Sequence, residues 1–170
     1  MRKKRIIQIC LPIVIVAIVA VIWLVKSSGS EQPTSNLKTP LEITTVDLAE
    51  IQSNGLPVII DFGSDSCIPC KEMAPVLVKM NKEMQDKAVI HFTDVWKNPD
   101  AAKDFPVQVI PTQVLFTADG KPYMPSKELQ DSIPFTMYST KDTNDHVFTV
   151  HEGGLTEEQM RSILTDMGVK

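Results

Sequence analysis

The chain has 170 residues, of which 43% are hydrophobic and 22% are charged, and its net charge at pH 7 is −4. This size and balance fit one globular domain with an additional apolar segment. The net negative charge argues against a nucleic-acid-binding protein, because phosphate backbones are bound by clustered Lys and Arg side chains.

The N-terminal segment, residues 1–26, has the pattern of a membrane anchor. A basic cluster, Met1 to Arg5, precedes an uncharged run from Ile6 to Val25. A helix of that length spans roughly 30 Å, the thickness of the hydrocarbon core of a bilayer. Since basic residues stay in the cytoplasm, the remainder of the chain would face outward. The segment therefore predicts a single-pass protein of the cytoplasmic membrane with an extracytoplasmic domain.

A cleaved signal peptide is the competing interpretation of this segment. Signal peptides have apolar regions of about 7–15 residues that end at a small-residue cleavage site. Here the apolar run is longer, and Lys26 to Ser30 matches such a site poorly, so we favour an uncleaved anchor. Cys10 lies inside the run and is interpreted as an inert thiol. Without this basic segment the remainder is strongly acidic, which also argues against binding to anionic lipid.

The anchor is followed by a linker and then by the first elements of a folded domain. Residues 27–40 predict a flexible linker, because they are rich in Ser, Thr, Pro, Gly and Asn and lack periodicity. A short strand is expected over 41–44, and a helix capped by Thr45 over 46–53. The continuous apolar run from Val58 to Phe62 is typical of a central strand that is covered on both faces.

A dithiol motif, Cys67-Ile68-Pro69-Cys70, comes soon after that strand and opens a segment with helical periodicity. Pro75 lies inside this segment and is expected to kink the helix. Thiols at a helix N-terminus are typical of a redox site, because the free N–H groups and the helix dipole favour a thiolate. A disulfide within so small a loop would stabilise the fold little. We therefore predict a functional rather than a structural disulfide.

The remaining pattern completes an α/β domain. It predicts strands over 88–95, 112–117 and 147–152, a short helix from Asn98-Pro99 to about 105, and a last helix from Thr156 to Gly168. The last helix begins with a capping-box sequence. Residues 121–146 contain three prolines and one short helical pattern, over 126–132, and are either a partner-binding flap or a solvated loop. The alternation of elements predicts a mixed sheet flanked by helices.

These features together resemble the thioredoxin family over roughly residues 41–168, which predicts a thioredoxin-like domain over 41–170. Residues 121–146 do not share the resemblance and are interpreted as an insertion in the final hairpin. The resemblance rests on Asp61-Phe62, on Cys67 to Lys71, on Pro75, on Asn98-Pro99, on Ile110-Pro111-Thr112 and on Gly153. It implies the thioredoxin fold, a central mixed sheet flanked by helices, here preceded by one transmembrane helix. It also implies that the protein uses no cofactor and no metal.

The resemblance assigns roles to individual residues. Cys67 would attack a substrate disulfide to form a mixed disulfide, and Cys70 would resolve it, which leaves a Cys67–Cys70 disulfide. Asp61, buried on the adjoining strand, would accept the proton of Cys70, and desolvation would raise its pKa. Pro111 would be a cis-proline, and its turn would place the backbone of Ile110 beside Cys67.

The same comparison predicts how a substrate binds and which way electrons flow. A substrate chain would pair with the backbone of Ile110 like an added strand. The expected substrate contacts are Ile68, Pro69, Ile110 and Thr112. Ile68-Pro69 adds no hydrogen-bond donor or positive charge inside the motif, which favours a reductant over a strong oxidant.

Two departures from the family pattern concern the surroundings of the dithiol. Thioredoxin has tryptophans at the positions of Gly63 and Ser66, and many relatives have a lysine near the buried acid at the position of Phe92. These differences predict a recognition surface unlike that of cytosolic thioredoxin.

The predicted function is thiol–disulfide exchange on protein substrates outside the cytoplasmic membrane. The alternatives in the same class are a disulfide-forming oxidase or an isomerase. The resemblance implies that an integral membrane thiol carrier donates the electrons and that cytochrome c maturation or disulfide repair uses them.

Two other classes of function are weaker. Metal transfer would need ligands besides the two cysteines, and His91, His146 and His151 show no paired spacing. A non-catalytic binding module that uses the insertion would need neither cysteine.

Overall fold

The computed structural model describes residues 39–170, and the sheet within this range has five strands. The strands are β1 (Val58–Gly63), β2 (Val89–Asp94), β3 (Thr112–Phe116), β4 (Thr136–Ser139) and β5 (His146–Glu152). The helices are α1 (Leu48–Ser53), α2 (Ile68–Glu83), α3 (Lys127–Gln130) and α4 (Glu157–Asp166), with a 3₁₀ turn over Pro99–Ala102. The strand order is β2-β1-β3-β5-β4. Only β1 and β2 are parallel within this sheet, so the predicted mixed sheet is confirmed.

The predicted anchor, residues 1–26, lies outside the described residues, as does most of the predicted linker. Within residues 39–170, no helix combines the length and the apolar composition that crossing a bilayer requires. Both assignments therefore stay predictions.

The central strand β1 lies between two hydrophobic cores, one on each face of the sheet. Every one of its residues is buried, since both faces are covered. Ile59 packs with Leu77 and Met80 of α2 in one core. Phe62 belongs to the other core, and its ring packs at a tilt against that of Phe105, with the ring centroids 5.0 Å apart. Since side chains alternate along a strand, Asp61 shares the face of Ile59 and points to the α2 side of the sheet.

Several local predictions are corrected by the hydrogen bonds. The cap of α1 is Asp47 rather than Thr45, since the Asp47 carboxylate accepts bonds from the N–H groups of residues 49 and 50 at 2.9 and 3.3 Å. A carboxylate there also interacts favourably with the helix dipole. The predicted helix after Asn98 ends at Ala102 as a single 3₁₀ turn. The capping box at Thr156 is confirmed, and α2 continues through Pro75 as one element.

The first predicted strand, over 41–44, is reduced to a short bridge along the outer side of β2. Glu42 pairs with Phe92 in parallel register. The N–H of Phe92 donates to Leu41 O at 2.7 Å, and the N–H of Ile43 donates to Phe92 O at 2.9 Å. These two bonds bring the start of the domain beside Phe92.

The insertion, residues 121–146, has more regular structure than a solvated loop. It contains α3 and then β4, which pairs antiparallel with β5 at the edge of the sheet. Its first part is anchored by Tyr123, which is 1% exposed and donates its hydroxyl hydrogen to Asp166 of α4. Tyr123 also packs edge-on against Phe135 at 6.0 Å. The insertion therefore extends the sheet by one strand and is fastened to the last helix.

Candidate active site

The two thiols lie at the start of α2, just after the end of β1. Cys67 is the N-cap residue of α2, and Pro69 occupies the first turn, where a missing N–H costs nothing. The N–H of Cys67 donates to Ser64 O at 3.2 Å, and Cys67 O accepts from the N–H of Lys71 at 3.1 Å. Within residues 39–170, neither Cys67 nor Cys70 is bridged. The dithiol is therefore held at the N-terminus of a sixteen-residue helix, as predicted.

Cys67 is nearly as buried as Cys70, with 8% of its surface accessible against 4% for Cys70. The reason is the loop before β3, since Cys67 Sγ lies 3.9 Å from the carbonyl oxygen of Ile110. The chain neighbours of these two residues are open to solvent, Ile68 at 72% and Val109 at 52%. Two exposed apolar side chains, those of Ile68 and Val109, therefore lie next to a largely buried Cys67.

The loop that covers Cys67 is fixed on both sides. The Ile110–Pro111 peptide bond is cis, and Pro111 O accepts from the N–H of Gly153 at 2.9 Å. Thr112, which the sequence places among the substrate contacts, is fully buried instead. Its hydroxyl donates to Val109 O at 2.8 Å, so its side chain holds the turn.

Asp94, at the end of β2, fixes the loop that precedes the dithiol. Its buried carboxylate accepts bonds from Ser64 Oγ at 3.3 Å and from the Asp65 N–H at 3.0 Å. It also accepts from the N–H groups of Trp96 and Lys97, at 3.0 and 3.1 Å. Although burial acts to raise it, these backbone donors hold the pKa of Asp94 below its ordinary value. Sequence reasoning missed this residue, because it reads only as the end of a strand.

Asp61 is fully buried beneath the dithiol. Desolvation raises its pKa to about 7, although a hydrogen bond from Gln113 acts to lower it. Gln113 Nε2 donates to Asp61 Oδ1 at 2.6 Å, while Asp61 Oδ2 has no partner within the described part of the chain. A Cβ atom built on Gly63 would lie 3.2 Å from Asp61 Oδ2 and 3.3 Å from Cys70 Sγ. The free carboxyl oxygen and the sulfur therefore border the same small space.

Cys70 needs a base before it can act as a nucleophile. Burial raises the pKa of its thiol far above the ordinary value, and the hydrogen bond to Cys67 and the charge of Asp61 raise this pKa further. A hydrogen bond with the backbone of Ser64 lowers the pKa, but by less. Cys70 is therefore a neutral thiol near pH 7. Asp61 titrates in that pH range, so its ionised form is available to accept the proton.

The two departures at positions 63 and 92 are physically linked. The Phe92 ring lies so close that a Cβ atom on Gly63 would be 2.9 Å from Phe92 Cε2. The aromatic ring thus occupies space that a side chain at position 63 would need. A cavity of about 160 Å³ borders Phe92, Ser64 and Cys70, and opens beside the second thiol.

The hydrogen bonds of the three histidines within residues 39–170 go to backbone carbonyls and to one threonine hydroxyl, and none of them goes to the dithiol. His91 Nδ1 lies 2.9 Å from Pro40 O, and His151 Nδ1 lies 2.9 Å from Pro134 O. His146 Nε2 lies 2.8 Å from Thr149 Oγ1. Within residues 39–170, no group of three His, Cys, Asp or Glu side chains is placed to hold a metal ion.

Substitution of Asp61 by Asn tests the raised pKa through stability. The folded-state pKa of about 7 exceeds the ordinary value of 3.8, so the stability that protonated Asp61 contributes is lost as pH rises through 7. We expect Asp61→Asn to be more stable than the wild type at pH 8 by up to roughly 4 kcal/mol, with a much smaller difference near pH 4. Urea unfolding of the reduced proteins at both pH values measures this difference. An equal difference at both would contradict the raised pKa.

Comparison with known proteins places the site in a family. The thioredoxin family model matches residues 43–134, which include β1 to β3, the dithiol and the cis-proline. The chain is 36% identical over 89 residues to thioredoxin of Mycobacterium bovis, covering 52% of this chain and 76% of the relative. It is 37% identical over 67 residues to thioredoxin of Rickettsia typhi, covering 39% and 64%.

A third relative is much longer than the chain. The bifunctional thioredoxin reductase/thioredoxin of Mycobacterium leprae is 36% identical over 88 residues, which cover 51% of this chain and 19% of the relative. The chain thus spans less than two thirds of the length of this protein and of the Rickettsia relative.

Solved structures agree on the fold. Chloroplastic thioredoxin z superposes with a TM-score of 0.51 at 21% identity, covering 75% of this chain and 93% of the other. A mutant thioredoxin from Halobacterium salinarum gives a TM-score of 0.50 at 23% identity, covering 75% and 88%. The chain therefore belongs to the thioredoxin family, whose members are thiol–disulfide oxidoreductases.

Proposed function

We propose that this chain catalyses thiol–disulfide exchange on protein substrates and acts as a reductant through Cys67 and Cys70. The observation that carries the proposal is the arrangement around the helix start. Cys67 Sγ lies 3.9 Å from Ile110 O, and the buried Asp61 lies beside Cys70. The family membership of the chain supports the same chemistry.

The reaction follows from the different surroundings of the two sulfurs. The Cys67 thiolate attacks one sulfur of a substrate disulfide, and the other substrate sulfur leaves as a thiolate that takes up a proton. Cys70 then gives its proton to Asp61 and attacks the sulfur of Cys67. The mixed disulfide breaks, the second substrate thiol leaves, and the Cys67–Cys70 disulfide remains. Two electrons have passed from the dithiol to the substrate.

The proposed substrate contact is an extended protein segment next to the cis-proline loop. The backbone of Ile110 would pair with such a segment. The exposed side chains of Ile68 and Val109 offer apolar contacts on either side of the thiol, and Pro69 is also exposed. Thr112 supports this loop from below rather than contacting the substrate.

The direction of electron flow is proposed from the motif itself. A strong oxidant needs a highly stabilised reduced thiolate. The side chains of Ile68 and Pro69 contribute no hydrogen-bond donor or positive charge that would stabilise a thiolate. The first turn of α2 carries no acidic residue. We assign the chain as a reductant, with oxidase or isomerase activity as the alternative.

The redox potential of the dithiol distinguishes these directions. We expect equilibration of the full chain in glutathione buffers to give a potential below about −200 mV, towards the value of about −270 mV typical of thioredoxin. A potential near about −120 mV would instead identify an oxidant. Alkylation of free thiols followed by mass measurement reports the oxidised fraction.

Single cysteine substitutions test the assignment of the two roles. With insulin as the disulfide substrate, Cys70→Ser should accumulate a mixed disulfide with Cys67, because the resolving thiol is gone. Cys67→Ser should form no such adduct and should reduce no insulin. Cys10→Ser, outside the described residues, serves as the matched control and should behave like the wild type. Retained insulin reduction by Cys67→Ser would overturn the proposed function.

The proposed location is the outer face of the cytoplasmic membrane, held by a helix over Ile6 to Val25, with electrons supplied by an integral membrane thiol carrier. We expect the full chain to sediment with membranes and to resist alkaline carbonate extraction. A variant without residues 6–25 should be extracted, because it lacks the apolar span. A shortened chain beginning after residue 26 in the soluble fraction would instead identify a cleaved signal peptide.

A further inference from the structure

We propose that Gln113 is a positioning residue for proton transfer, which holds the buried carboxyl of Asp61 with one oxygen turned towards Cys70. The proposal rests on the proposed exchange reaction and names the group that controls its proton acceptor. Gln113 carries no signal in the sequence beyond being a polar residue inside an apolar strand.

The sheet register brings the two side chains together. Asp61 of β1 and Gln113 of β3 are direct partners in the antiparallel pair, and neither is exposed. Directly opposed residues have their Cβ atoms about 5 Å apart, within reach of an amide and a carboxyl group. Burial of an amide is costly unless it is hydrogen-bonded, and the Nε2 end of Gln113 meets this requirement through Asp61.

The bond divides the carboxyl group into two unlike oxygens. Oδ1 of Asp61 accepts from Gln113 Nε2 at 2.6 Å, whereas Oδ2 has no partner within residues 39–170. The free Oδ2 is the oxygen that borders the space above Gly63 together with Cys70 Sγ. Gln113 therefore fixes one oxygen and leaves the other available to the thiol.

The amide can serve both protonation states of the acid. Its Nε2 donates to the carboxylate, and the same nitrogen lies 3.5 Å from the weak acceptor Met73 Sδ. Its Oε1 has no partner within the described residues. When Oδ2 takes up the proton, Oδ1 remains a carbonyl oxygen, which still accepts the hydrogen bond from Gln113 Nε2. The acid thus keeps a partner before and after it takes the proton.

Few other titratable or polar side chains lie close enough to Asp61 to affect its pKa or its orientation. From α2 the titratable neighbour is the thiol of Cys70, which is itself next to Cys67, and the partner of Asp61 on β2 is the apolar Phe92. From β5, His151 lies opposite Gln113, and its Nδ1 contacts Pro134 O at 2.9 Å. Gln113 is the only side-chain donor to Asp61 within residues 39–170.

The test follows the second step of the reaction in the full chain with 5,5′-dithiobis(2-nitrobenzoate) as the probe. Every protein in this test carries Cys10→Ser, so that only two thiols react. Cys67 forms a mixed disulfide and releases one coloured thiolate, and attack by Cys70 releases the second. Stopped-flow measurement from about pH 5 to about pH 9 gives the rate of the second release. In the wild type this rate should rise with pH through about 7, as Asp61 ionises.

Gln113→Met keeps the size of the side chain and removes the donor. Loss of this bond should move the midpoint of the profile upward by about one pH unit and slow the second release about fivefold at pH 7, with the difference vanishing at high pH. Thr93→Val is the matched control, since Thr93 is equally buried on β2 and its hydroxyl has no partner within residues 39–170. It should leave the midpoint unchanged.

Three outcomes would overturn the proposal. The first is an unchanged midpoint in folded Gln113→Met, and the second is an equal slowing at every pH, which would mark a purely structural role. The third is a further change in the pH profile when Gln113→Met is added to Asp61→Asn. If the amide acts only through the Asp61 carboxyl, its removal should have no effect once that carboxyl is gone. If Gln113→Met fails to fold, Gln113→Asn, whose amide falls short of Asp61, should shift the midpoint in the same direction. A wild type with a first but no second release would show that the exchange reaction itself is wrong.

Discussion

The rest of the site depends on one carboxyl group that has been taken out of water. Asp61 lies on the central strand, with a hydrophobic core on each side of the sheet, and receives a single side-chain bond within the described part of the chain. Its ionised form is therefore costly, which raises its pKa to about 7 and makes it a base suited to neutral pH. The same burial raises the pKa of the Cys70 thiol, so this thiol is neutral near pH 7. Burial of this carboxyl group therefore destabilises the fold when the group is ionised, and it moves the titration of the group to neutral pH.

The thiols are positioned by three elements that are far apart in the sequence. The helix start presents Cys67, the cis-proline loop covers it with Ile110 O, and Asp94 fixes the approach loop through four hydrogen bonds. Each element is attached to the central sheet, so the geometry does not depend on a flexible segment. The proposed nucleophile, Cys67, is therefore held in place before a substrate binds.

The surroundings of the dithiol differ from the family pattern in a coordinated way. Position 63 has no side chain, and Phe92 approaches so closely that a Cβ atom there would collide with its ring. An amide at position 113, rather than a nearby charge, then remains as the polar partner of the acid. The strand β4 of the insertion lies at the edge of the sheet and is separated by β5 from β1 and β3, which carry Asp61 and Gln113. The insertion therefore changes the edge of the sheet at a distance from these two residues.

Four features could be predicted from the residue pattern alone: the dithiol, the central strand with Asp61, the mixed sheet and the capping box at Thr156. These features are local, since they depend on residue spacing, apolar runs and helix-end chemistry within a few residues. Four others became visible only in the folded chain: the burial of Cys67, the four hydrogen bonds to Asp94, the contact between Gly63 and Phe92, and the pairing of Asp61 with Gln113. Each of these depends on strand register or loop packing between distant segments, and a polar residue in a strand does not reveal what it faces.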